Sequence, residues 1–223
     1  MFDPKKDHKY AGGNDAVIEL LPRGARTILD VGCGCGGTAA KLESLGKTVD
    51  GVTWSDAEAA QAAKWCRSIL VADVSGGLPE SLDGPYDSVI CSHLLEHIAY
   101  PQKLLSDIRR VLKPGGALVV AIPNIFFWED RLKLLAGVWE YKQSGTFDYT
   151  HLRWYSVESM HRLLKEHGFV ADEFIADGWF PAPGLLWLLG RKLRTRLNAA
   201  AAKRWPGLFG KQLRYRVFKP LIA

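Results

Sequence analysis

Asp30, Gly32, Gly34 and Gly36 stand in the spacing D-x-G-x-G-x-G within the run Thr27 to Gly37, T-I-L-D-V-G-C-G-C-G-G. Glycines at this density permit positive φ and let a ligand approach bare backbone. The apolar lead reads as a buried strand, and Thr38 to Leu42 has helix-forming character. The loop therefore joins a strand to a helix N-terminus, an element suited to nucleotides. A phosphate-cradling P-loop needs Lys-Ser or Lys-Thr after the glycines, and Gly36-Gly37-Thr38 lacks the lysine. The G-x-G-x-G spacing is tighter than the dinucleotide fingerprint, and Asp30 would repel a diphosphate. A ligand with a cationic centre, no phosphate and an amino-acid end suits the loop better. A second group with chemical capacity is D-Y-T-H-L-R. There His151 has an imidazole able to take a proton from a hydroxyl, and Asp148 is near enough in sequence to orient it. The competing reading is that Asp148, His151 and Arg153 only pin a cover to the sheet.

Alternation of strand and helix text positions these residues. Asn14 is placed to cap a first helix. Strands are expected at 27–31, 48–53, 68–72, 86–91 and 117–122, with helices after the glycine loop, over 56–67 and from Pro101. Lys113-Pro114-Gly115-Gly116 reads as a sharp turn before the fifth strand. Five such alternations predict an α/β fold, a doubly wound parallel sheet with helices on both faces. Ligands of such sheets bind beyond the carboxyl ends of the strands. The stretch 125–155 breaks the rhythm and is dense in aromatics. It reads as a lid, with Leu132, Leu135, Val138 and Trp139 at helical spacing for packing. Ser156 caps a further helix that Gly168 closes, and Phe169 to Phe180 and Gln212 to Phe218 read as two last strands that pair antiparallel.

The net charge of +5 is unevenly spread. After Asp177 there are ten Lys or Arg and no acid, so the rest carries 19 − 24 = −5. The segment 184–210 is a basic helical insertion between the last two strands. Its leucines at 186, 189, 193 and 197, with Trp187 and Trp205, suit an anionic membrane surface met through 184–205. Nucleic acid is disfavoured, because no recognition motif accompanies the charge. The four cysteines are expected reduced, and the lone C-x-C pair has no second pair for a metal. No spacing suggests a metal cage. The start of the chain lacks an apolar signal region and no run reaches the ~20 residues of a membrane span. The expectation is one cytoplasmic domain over 1–223, at most peripheral to a membrane.

The order L-D-V-G-C-G-C-G, V-A-D-V, Y-D-S-V-I-C-S-H-L-L-E-H and R-V-L-K-P-G-G-A-L-V-V-A-I-P-N resembles the class I S-adenosylmethionine-dependent methyltransferases over residues 14–124. The resemblance implies a Rossmann-like sheet of seven strands, mostly parallel, with the last antiparallel, and S-adenosylmethionine as cofactor. It implies that Gly32, Gly34 and Gly36 lie against methionine and ribose, and that Asp30 holds the loop or the ammonium group. Asp73 and Val74 would read adenine, and Ser92 and His93 would offer backbone near the methionine end. His93 is then a second candidate base. The family's ribose-binding acid is replaced by Thr53. G-V-T-W-S-D-A-E resembles the cyclopropane-synthase branch, which makes Glu58 the substitute and Trp54 the stacking partner of adenine. Residues 124–156 resemble methyltransferases of surface-glycan clusters and MetW-like proteins. The implied function is O-methylation of a sugar or glycan intermediate, lipid-linked in the membrane reading. The alternatives are a MetW-like non-catalytic binding module and a methyltransferase acting on a lipid or another small molecule.

Overall fold

The computed structural model describes residues 13–181 and 190–221. The seven strands are β1 Thr27–Val31, β2 Thr48–Thr53, β3 Ser68–Val71, β4 Tyr86–Ser92, β5 Leu112–Pro123, β6 Val170–Asp177 and β7 Gln212–Phe218. They form one sheet in the order β3-β2-β1-β4-β5-β7-β6. β1 pairs in parallel with both β2 and β4, and β4 with β5, whereas β7 runs antiparallel to β5 and β6. The strand order reverses between β1 and β4, the point where such sheets open a crevice.

The apolar runs are explained by burial on both faces. Leu29 and Val31 of β1 and Leu118, Val120 and Ile122 of β5 join one core cluster. Ile28, Val119 and Ala121 join the other. The helices covering these faces are α1 Asp15–Ile18, α2 Gly37–Ser44, α3 Asp56–Ala62, α4 Gln102–Val111 and α6 Val157–Glu166. Helix α4 seals its face with Leu104, Leu105, Ile108 and Val111, all buried. Asn14 caps α1, and Ser156 and Ser159 form a reciprocal capping box on α6.

Three boundaries differ from expectation. Lys113 to Gly116 is no separate turn but an irregular part of β5, where the register against β4 shifts and Gly115 and Gly116 bond to Lys219. Helix α3 ends at Ala62, because the Arg67 amide is drawn to the Val49 carbonyl on β2. Strand β6 stops at Asp177, where Gly178 lies against the Phe209 carbonyl with no room for a side chain.

The cover is also built differently. Helix α5, Trp128–Leu135, opens it, and Leu132, Leu135, Val138 and Trp139 are exposed, not packed inward as expected. Its order comes instead from rings meeting edge to face, Trp139 with Phe147 and with Trp154, and from Asp130, buried between Lys133 and Thr146. Between β6 and β7 lie α7 Gly190–Arg204 and α8 Pro206–Phe209. Leu193, Leu197 and Trp205 are exposed there, and residues 184–189 of the basic insertion, with Leu186, Trp187 and Leu189, lie outside the described residues.

Candidate active site

A cavity of about 1170 Å³ opens beyond the carboxyl ends of β1 to β4. Its floor begins at the glycine loop. The amides of Gly32 and Cys33 donate to the Val52 carbonyl at 2.8 and 3.0 Å, which fastens the loop to β2. Gly34 has φ +52° and nothing within 4 Å of where a Cβ would stand, so bare backbone faces the cavity. Gly36 has φ +81° and would bring a Cβ within 2.8 Å of the Ala62 backbone. It packs α2 against α3 and is not part of the cavity lining, which corrects its expected place against a ligand.

Asp30, 2% exposed, lines the floor, and burial pushes its carboxyl up to about 7. A cationic ligand group would restore the charge that burial suppresses. At the end of β2 the buried Thr53 hydroxyl donates to Glu58 Oε2. The two residues, five positions apart, thus form one polar unit, with Glu58 partly exposed to the cavity beside Trp54. Asp73 follows β3 and accepts from the Ser75 amide at 2.8 Å, and Val74 is buried beside it. Across the switch point, Ser92 Oγ accepts from Asn14 Nδ2 at 3.0 Å, while the Asn14 amide donates to Thr38 Oγ1 at 3.1 Å. The segment before α1 therefore clips over the loop.

The far wall comes from the turn after β4 and from the cover. His93 has φ +52° and holds Nδ1 3.2 Å from Glu96 Oε1. His97, Gln143, Asp148, Tyr149 and Thr150 complete this side. The Glu96 carbonyl accepts from the amides of Leu152 and Arg153, which locks the cover to the turn. His151 is buried and does not line the cavity. Its ring stands behind His97, centroids 4.8 Å apart, and burial holds its imidazole below the ordinary value. Its Nδ1 meets the Thr146 carbonyl at 3.1 Å. Asp148, expected to orient it, accepts instead from the Thr150 amide and hydroxyl.

Asp30, Gly32, Gly34, Thr53, Trp54, Glu58, Asp73, Val74, Ser92 and His93 thus all line one cavity, and Gly36 and His151 do not. Sequence reasoning missed Asn14 and His97. Gly12-Gly13-Asn14 was the available signal for the first. Nothing local marks the second, because its partners come from the cover. One ligand atom each from Glu96, His97 and His151 lies within 4.8 Å of the other two, although no spacing in the chain suggested a metal cage.

The model of the family described as "Methyltransferase domain" matches residues 6–173. A ubiquinone biosynthesis O-methyltransferase of Maricaulis maris is 34% identical over 102 residues, covering 44% of this chain and 40% of the relative. A 2-methyl-6-phytyl-1,4-hydroquinone methyltransferase of Synechocystis is 28% identical over 201 residues, 84% of this chain and 60% of the relative. The chain therefore spans about half the length of these curated relatives. A solved SAM-dependent methyltransferase from Thermotoga maritima superposes with a TM-score of 0.61 at 22% identity, over 92% of this chain and 86% of the other. With its family model matched over most of its length, its seven-stranded sheet and its glycine-floored cavity, the chain belongs to the class I methyltransferase domain family.

Proposed function

We propose that the chain transfers a methyl group from S-adenosylmethionine, the family's cofactor, to a hydroxyl oxygen of a small-molecule acceptor. When bound, this cofactor supplies an electrophilic methyl on a sulfonium. The residues present fit it. Gly34 leaves open space for close approach, and Asp30 is a buried acid suited to an ammonium. Thr53 donates to Glu58, and the pair offers a carboxylate on the cavity side suited to ribose hydroxyls. Asp73 and Trp54 line the same cavity and are the residues left to take adenine.

The observation that carries the reading is the division of the cavity. Residues over β1 to β3 suit a nucleoside, and residues after β4 and on the cover suit a hydroxyl acceptor. His93 serves as the base: Glu96 accepts from its Nδ1, which leaves the other ring nitrogen to take the acceptor's proton. His151, the first candidate from sequence, acts as a positioning residue behind His97. Methyl transfer needs mainly alignment, so holding both reactants in one cavity supplies most of the rate.

For the acceptor, the names of the relatives, an O-methyltransferase of ubiquinone biosynthesis and a hydroquinone methyltransferase, favour a quinone-type small molecule over the sugar or glycan expected from sequence. Leu132, Leu135, Val138 and Trp139 on the cover, and the arginines of α7 beside Leu193 and Leu197, support collection of such an acceptor at an anionic membrane surface. Among the described residues no helix is long and apolar enough to cross a membrane. The whole of 1–223 then works as one unit, with 125–155 as its lid.

The test is formation of S-adenosylhomocysteine from S-adenosylmethionine with two acceptor sets, short-chain prenyl hydroquinones and nucleotide-activated sugars. Turnover with the hydroquinones is expected. Turnover with sugars alone restores the glycan reading, and cofactor binding without turnover on either set leaves a binding module.

A further inference from the structure

Beneath the acceptor side of the cavity, two distant stretches bring together Glu96, His97 and His151. Glu96 is 1% exposed, and its Oε2 has no hydrogen-bond partner among the described residues, while Oε1 faces His93. Each imidazole is held by its Nδ1. For His151 the partner is the Thr146 carbonyl, which only accepts, so Nδ1 carries the proton and Nε2 a lone pair. For His97 the partners are the Thr150 carbonyl at 3.2 Å and the Thr150 hydroxyl at 3.0 Å. That hydroxyl gives its hydrogen to Asp148 Oδ1 at 2.7 Å, so it too accepts from His97. Two bare ring nitrogens and one orphaned carboxylate oxygen remain. A buried acceptor without a donor is costly, and a cation is what such a set lacks.

We propose that Glu96, His97 and His151 form a divalent-cation site of the first-row transition type, open toward the cavity. Two imidazoles and one carboxylate suit Zn²⁺, Mn²⁺ or Co²⁺ better than Mg²⁺ or Ca²⁺. Histidine ligands whose other N–H is held by a backbone carbonyl are the usual outer arrangement of a metal site. Three protein ligands leave a position for a further oxygen. Metal–ligand bonds of roughly 2.0–2.2 Å put ligand atoms about 3.3 Å apart in a tetrahedral set, so the three side chains draw inward when the ion enters. His97 lines the cavity, which places the open position on the acceptor side. Resting on the methyl-transfer reading, an ion held by Glu96, His97 and His151 would supply Lewis-acid polarisation of the acceptor hydroxyl, and His93 would remain the group that takes its proton.

The test is titration of the chelator-treated full chain with Co²⁺, followed by visible absorption, and with Zn²⁺ by calorimetry. One ion per chain is expected. His97→Asn and Glu96→Gln should each weaken uptake at least tenfold, and Thr150→Val, which removes the hydroxyl shared by the His97 ring and Asp148 but keeps the backbone carbonyl on His97, by less than either. S-adenosylhomocysteine titration of the same samples separates lost ligation from lost folding. No uptake by the parent chain overturns the site, as does uptake that none of these variants weakens. If the nucleoside binds and the ion does not, the site fails and methyl transfer stands. If the ion binds and the nucleoside does not, the site stands without the acceptor role.

Discussion

The two sides of the cavity are built by opposite means. The side over β1 to β3 is assembled locally: Asp30, Thr53 and Asp73 each lie at or just past the end of a strand, and Gly34 sits in the loop that follows. The side over β4 is assembled at long range. His93 and Glu96 meet a cover whose residues 146–153 arrive much later in the chain, and the Glu96 carbonyl receives two amides from it. Strand ends are fixed by the sheet, so the first side takes its shape from the sheet itself. The second depends on how the cover docks, and its outer residues Leu132, Leu135 and Trp139 remain exposed.

Substitutions in the glycine loop break this comparison most strongly, because they separate folding from binding. Gly36→Ala meets both a left-handed backbone and the Ala62 main chain, and should cost roughly 2–5 kcal/mol of stability in denaturant melts. Gly34→Val should cost only about 1–2 kcal/mol, since its Cβ meets open space, yet abolish S-adenosylmethionine binding in calorimetry. Binding that survives Gly34→Val would show that Gly34 has no ligand-facing role.

Thr53→Val releases Glu58 and leaves the sheet intact. Affinity should fall by about 0.5–1.5 kcal/mol, with a stability loss of no more than about the same size. Unchanged affinity would remove the Thr53–Glu58 pair from the ribose site.

Asp30 gives a signed effect, read as a pH profile. Its carboxyl is raised from 3.8 to about 7, so the folded state holds a proton that the unfolded state has lost in that window. Stability of the ligand-free protein should therefore fall as pH rises from about 4 to 7. Affinity for a cationic ligand should rise over the upper part of the same range, because binding favours the ionised form. Asp30→Asn should flatten both profiles. Affinity independent of pH would place the ligand's ammonium away from Asp30.

Legibility in the sequence follows the same division. A strand running into glycines carries its geometry in adjacent residues, so β1, its loop and α2 were readable, as was the closeness of Thr53 and Glu58, five positions apart. Gly36 was misplaced because pattern alone does not distinguish a glycine needed for ligand approach from one needed for helix packing. The role of His151 was not readable, because it depends on Thr146 and His97, and the docking of the cover decides which imidazole faces the cavity. Asp148 looked like its partner by proximity, but the Thr150 amide and hydroxyl take that carboxylate. The lid stripe failed for a related reason: helical spacing names a face of α5 without saying what covers it.

The central claim is that the cavity floored by Gly34 and Asp30 holds a sulfonium nucleoside. Calorimetric titration of the full chain with S-adenosylmethionine, beside the Gly34→Val variant, tests it most directly. One molecule should bind per chain, and binding should vanish in a variant that still melts cooperatively. A parent chain that takes up no ligand, or a variant that binds as well as the parent, would contradict the account.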